Sequence, residues 1–144
     1  MEKFEKSIFI KRSAQEVFDF ISDEENDSKW QNGVVSSELT TDGPKGVGST
    51  TKVVRNFMGR KIEATVEVID WTPPNQATFK STSGPIPMQF TSFLEEQDGG
   101  TMLTMKGQAE FGGFMKLASG MAVKQVEKNL SSDLATLKKV LETA

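Results

Sequence analysis

Two hydrophobic periods run along this chain. Through residues 4–109 apolar side chains mostly alternate with polar ones, the pattern of half-buried strands. Over 114–142 they recur every three or four residues, the pattern of a helix with one buried face. The alternating segments are 4–11, 34–41, 49–58, 60–70, 76–81, 88–97 and 101–109. Phe4, Ile8 and Ile10 share one face of the first segment, Val35 and Leu39 one face of the second, and Val53 and Phe57 one face of the third. In the fourth, Ile62, Ala64, Val66 and Val68 oppose Glu63, Thr65 and Glu67, which predicts a sheet with one solvated face. Ser13-Ala14-Gln15-Glu16 is a capping box, with Ser13 as N-cap and Glu16 reaching back to its amide. The helix it starts buries Ala14, Val17, Phe18 and Ile21. Asp23 to Trp30 reads as a second short helix or turn.

The helical stripe consists of Phe114, Leu117, Ala118, Met121, Ala122, Val126, Leu130, Leu134, Leu137 and Leu141. A helix of that length is roughly 40 Å long and must cross a sheet from edge to edge. Its first half holds Phe114, Met115, Gly120 and Met121, which suit an adaptable wall, while its second half is a plain Val/Leu ladder suited to tight packing. We expect an anchored C-terminal half and a cavity-lining N-terminal half.

Turn chemistry fixes the connections. Gly43-Pro44-Lys45-Gly46-Val47-Gly48, Met58-Gly59-Arg60, Trp71-Thr72-Pro73-Pro74-Asn75, Gly84-Pro85-Ile86-Pro87 and Asp98-Gly99-Gly100 all interrupt the ladder pattern. Gly107 and Gly112-Gly113 mark bends or close approaches. The order is one strand, two short helices, six strands and a long helix. Successive tight turns make the later strands an antiparallel meander. The expected fold is α+β: one domain over residues 1–144, with a curved antiparallel sheet holding the C-terminal helix on its concave face.

Composition then narrows the chemistry. The 144 residues carry a formal net charge of −3, which gives no long-range attraction for nucleic acid or anionic membrane. Cysteine, histidine and tyrosine are all absent, which removes thiolate chemistry, imidazole metal ligands and the commonest general base. No cofactor or metal is expected. No apolar run reaches membrane-spanning length, and the charged start does not resemble a secretory leader, so a cytoplasmic location is expected.

Among candidate constellations, the glycine loop 43–48 joins two strands. A phosphate-cradling loop would instead lead from strand to helix. Glu63 and Glu67 share the polar face of their strand and read as solvated surface. Arg55 has the parity of Thr51, Val53 and Phe57. If that face is the inner one, its guanidinium either pairs with a carboxylate or grips an acidic ligand group. Gln89, Thr91 and Thr104 are further polar candidates. The strongest functional signal is a set of methionine and aromatic residues that would form an apolar, adaptable pocket: Phe57, Trp71, Met88, Phe90, Met105, Phe114, Met115 and Met121. Met102 and Met105 have opposite parity, so only one of them can face inward.

The chain resembles the START-like (SRPBCC, helix-grip) superfamily, in its polyketide cyclase/dehydrase and lipid-transport branch. The resemblance rests on Ile10-Lys11-Arg12-Ser13-Ala14-Gln15-Glu16-Val17-Phe18, on Trp30, on Gly43-Pro44-x-Gly46-Val47-Gly48 and on the late glycine before the long helix. It implies a seven-stranded antiparallel sheet wrapped around the C-terminal helix, with a hydrophobic cavity that takes a lipid, sterol or polyketide-like molecule. Enzymatic members commonly use histidine, tyrosine, arginine or carboxylates in that cavity, and the first two are missing here. Binding of a small hydrophobic ligand is therefore expected. A polyketide cyclase/dehydrase-like activity and a protein-interaction or chaperone-like role are the alternatives.

Overall fold

The structure, a computed structural model, describes residues 2–111 and 119–143. The elements follow the order β1 (Glu2–Ile10), α1 (Ala14–Ser22), a 3-10 turn (Glu24–Asn26), α2 (Asp27–Trp30), β2 (Val34–Leu39), β3 (Thr50–Phe57), β4 (Arg60–Thr72), β5 (Gln76–Ser83), β6 (Met88–Gln97), β7 (Gly100–Ala109) and α3 (Ser119–Glu142). The seven strands form one antiparallel sheet in the order β1-β7-β6-β5-β4-β3-β2. The short helices carry the chain from one sheet edge to the other. The meander then returns strand by strand until β7 lies beside β1. The curved sheet grips α3, giving a helix-grip α+β fold.

Local chemistry explains the elements. The Ser13 hydroxyl accepts from the Glu16 amide at 3.1 Å while Glu16 Oε1 accepts from the Ser13 amide at 3.4 Å, so the capping box is reciprocal. Asp98 (φ 48°) and Gly99 (φ 79°) turn the β6–β7 hairpin, and Met58 (φ 51°) and Gly59 (φ 80°) turn β3 into β4. Two successive positive φ angles make both of them primed turns, whose twist matches that of the strands they join. Gly107 permits a close approach, because a Cβ there would overlap the Phe4 ring and meet Phe90 Cβ at 3.0 Å.

Two buried clusters hold the sheet and helices together. One gathers Ile10, Val17, Phe18, Trp30, Leu94, Leu103, Leu134, Leu137 and Leu141. The other gathers Phe57, Ile86, Ala109, Phe111 and Ala122. The Leu134–Leu137–Leu141 ladder is the anchored half of α3, as its spacing predicts.

Two positions depart from the expected pattern. Val35 is 48% exposed rather than on the apolar face with Leu39. The register slips between Val34 and Ser36, so a bulge at Val35 inverts the parity beyond it. Met121 is 67% exposed although it falls on the helical stripe. Ala122, fully buried, takes the inward position in that turn.

Candidate ligand cavity

Between the two clusters lies a cavity of about 210 Å³, with walls from the sheet, α1, α2 and α3. The alternation of β3 points Thr51, Val53, Arg55 and Phe57 into it, and β4 adds Ile62, Ala64 and Val66. Across the sheet, Phe79, Met88, Phe90 and Met105 continue the wall, and α3 contributes Val126, Asn129, Leu130 and Asp133. The Gly84–Pro87 loop brings in Ile86.

Of the residues singled out in the sequence, the cavity brings together Arg55, Phe57, Met88, Phe90 and Met105. Trp71 does not line it, but packs edge-on against Phe18 with ring centroids 5.0 Å apart. A register shift between Val68 and Asp70 precedes it in β4 and breaks the strict alternation. Met121 faces outward, as described above, and Phe114 and Met115 fall outside the described residues. Gln89 and Thr91 do not reach the cavity, while Thr104 shares a 2.8 Å hydrogen bond with Ser7 elsewhere on the sheet. Glu63 pairs with Lys52 at 3.2 Å on the exposed face, so the solvated reading of that face holds.

The apolar wall is interrupted on the side where α2 meets β3 and α3. There Arg55 Nη2 donates to Gln31 Oε1 at 3.2 Å, and Asp27 Oδ2 accepts from the Ser37 hydroxyl at 2.7 Å. Asp133 Oδ1 accepts from the Asn32 amide at 3.1 Å. Nearby, Glu24 Oε2 takes an ion pair from Lys45 Nζ and a 2.8 Å hydrogen bond from Thr51 Oγ1. Lys45 also donates to the Ser22 carbonyl at 2.9 Å and sits over the Phe79 and Trp71 rings.

Burial controls the ionisation of this group. It pushes the Asp27 carboxyl up to about 6. The Ser37 hydrogen bond opposes that rise, the charge of Glu24 adds to it, and Lys45 and Arg55 oppose it. Burial also raises Asp133, against the Asn32 amide and Arg55. The same burial lowers the Arg55 guanidinium, against the attraction of Asp133 and Asp27. Among the described residues Arg55 has no ion-pair contact, and its one hydrogen-bond partner is the neutral Gln31.

Sequence reasoning found Arg55 but missed Glu24, Asp27, Lys45 and Asp133. Two of them left a signal. Asp133 stands three residues after Leu130 and four before Leu137, on the inward face of α3. Asp27 lies three residues before the buried Trp30 and so shares its side of α2. Among the described residues no cluster of acidic side chains could hold a metal, and no helix is long and apolar enough to cross a membrane.

A family model described as "Polyketide cyclase / dehydrase and lipid transport" matches residues 1–142. The chain belongs to this family. Its helix-grip fold is that of the START-like superfamily. Protein TTHA0849 of Thermus thermophilus is 20% identical, with 99% of this chain and 98% of that one covered at a TM-score of 0.86. A START superfamily protein from Mycobacterium smegmatis is 15% identical over 98% and 97% of the two chains, with a TM-score of 0.82. The Zhui aromatase/cyclase from Streptomyces sp. R1128 is 16% identical over 98% and 93%, with a TM-score of 0.79. At these identities the likeness concerns the fold. No curated protein matches this sequence.

Proposed function

We propose that this member of the family binds a small, mostly apolar molecule in the cavity between sheet and α3. The observation that carries the proposal is the character of the wall. Phe57, Ile62, Val66, Phe79, Phe90, Met105, Val126 and Leu130 supply apolar surface, and the charged side chains enter from one group of elements. Apolar surface with a few convergent polar groups is the usual build of a small-molecule site, because burial gives affinity and the polar groups give orientation. Met88 and Met105 allow the wall to adapt to ligand shape.

A second reading, cyclase/dehydrase-like turnover, is favoured by one observation. Asp27 stands near 6 within a group that also holds Arg55 and Asp133, and a carboxyl in that range can both donate and accept a proton near neutral pH. Titration with a neutral lipophilic dye such as Nile red tests the binding reading. Saturable fluorescence enhancement that is lost in Val66→Trp, a substitution that fills the cavity, is the expected result. Equal enhancement by wild type and Val66→Trp would place the dye elsewhere and overturn the reading.

A further inference from the structure

We propose that the polar wall selects a ligand whose neutral carbonyl-type oxygen accepts from the Arg55 guanidinium and the Trp30 indole N–H, and that it disfavours carboxylates at neutral pH. The inference rests on the ligand-binding reading and specifies the chemistry of its polar end.

Among the described residues, two donors in this wall lack adequate acceptors. Trp30 lines the cavity and is only 3% exposed, yet its Nε1–H meets no acceptor among the described residues. A buried N–H without a partner is rare and destabilising, so such a group is a natural contact for an incoming oxygen. Arg55 presents five N–H donors, and among the described residues it meets one neutral acceptor, from Gln31, the residue that follows Trp30. Lys45 is already engaged by Glu24 and the Ser22 carbonyl.

Charge decides what kind of oxygen fits. Among the described residues, the wall holds two cations, Arg55 and Lys45, and three carboxyl groups, Glu24, Asp27 and Asp133. Glu24 and Lys45 neutralise each other. Arg55 is left facing Asp27 from α2 and Asp133 from α3, both close enough to act on it electrostatically. A ligand carboxylate on Arg55 would be a third acid around one guanidinium in a poorly hydrated site, where like charges repel strongly. A ketone, ester or amide oxygen makes the same hydrogen bonds and adds no charge. An acid can enter when Asp27 or Asp133 takes up a proton, and the raised carboxyl of Asp27 brings that event close to neutrality. The groups that set this event are Ser37, Glu24, Lys45 and Arg55 around Asp27, and the Asn32 amide and Arg55 around Asp133.

Calorimetric titration with two ligands of one chain length, methyl decanoate and decanoic acid, tests the proposal. At about pH 8 the ester should bind roughly tenfold or more tighter than the acid, and the acid should gain on the ester toward about pH 5.5. The double variant Asp27→Asn, Asp133→Asn separates the protein's protons from those of the acid. It should raise the affinity of the acid relative to that of the ester at about pH 8 by roughly tenfold. Trp30→Phe, which keeps the ring and removes the N–H, should weaken the ester about two- to tenfold. Acid binding as tightly as the ester to the wild type at about pH 8 would overturn this inference and leave the cavity reading intact. So would ester affinity unmoved by both Trp30→Phe and Arg55→Met. No binding of either ligand overturns both.

Discussion

Asp27→Asn should stabilise the protein, and should do so only above a definite pH. Asp27 is displaced from an ordinary value of 3.8 to about 6 in the folded state, chiefly by burial. The native protein therefore holds a proton there that the unfolded chain releases at lower pH. The associated stability is fully present below 3.8 and is lost as pH rises through about 6. The displacement corresponds to roughly 3 kcal/mol of differential stability once Asp27 is ionised in both states. Asparagine keeps the shape and the hydrogen-bonding reach toward Ser37 but never ionises. The stability difference between variant and wild type should be near zero at about pH 4 and grow to about 1–3 kcal/mol in favour of the variant by about pH 8. The net displacement already includes the attraction of the ionised form to Lys45 and Arg55, and the lower bound allows for an amide that replaces the neutral carboxyl less than perfectly. Asp133, also raised, is present in both proteins and largely drops out of the comparison. Urea denaturation at several pH values, with midpoints and slopes fitted separately, gives the difference directly. A constant difference across this range, or a less stable variant at high pH, would refute the buried-carboxyl reasoning.

Leu134 is 2% exposed in the packed ladder, so Leu134→Ala should cost about 2–5 kcal/mol in a urea melt. Val126→Ala, on the cavity wall, should cost visibly less, and equal losses would argue for a uniformly packed α3. Gly107→Ala should destabilise by about 1–3 kcal/mol, because the new methyl overlaps the Phe4 ring. Adding Phe4→Leu should restore part of that loss in a thermal melt. Lys45→Met leaves Glu24 partly buried with only the Thr51 hydroxyl, so it should cost about 3 kcal/mol, and adding Glu24→Gln should recover some of it.

Much of this architecture is legible in the sequence because it follows from short-range rules. The Ser13–Glu16 capping box, the primed turns at Met58-Gly59 and Asp98-Gly99, and the alternation of β3 each depend on a few adjacent residues. That alternation alone carries Arg55 and Phe57 to the inner face. Errors arose where one residue changes the count. The bulge at Val35 moved Val35 outward, and the register shift after Val68 turned Trp71 to the inner face, where it packs on Phe18 instead of lining the cavity. Met121 shows the limit of helical periodicity, since a stripe about 100° wide leaves its flanking positions undecided. The charged wall was hardest to read. Glu24 and Lys45 come from a 3-10 turn and a loop whose meeting depends on tertiary structure, while Asp133 was visible only as a polar residue at an inward helical step.

The most direct test of an internal apolar site uses the methionines as reporters. Met88 and Met105 line the cavity, Met58 and Met121 are 43% and 67% exposed, and Met102 lies on the opposite strand face from Met105. In methyl-labelled protein titrated with methyl decanoate, intermolecular nuclear Overhauser effects should connect the ligand chain to the Met88 and Met105 methyls. None should reach Met58, Met102 or Met121. Contacts confined to the exposed methionines, with Met88 and Met105 unmoved at saturation, would contradict a ligand site between the sheet and α3.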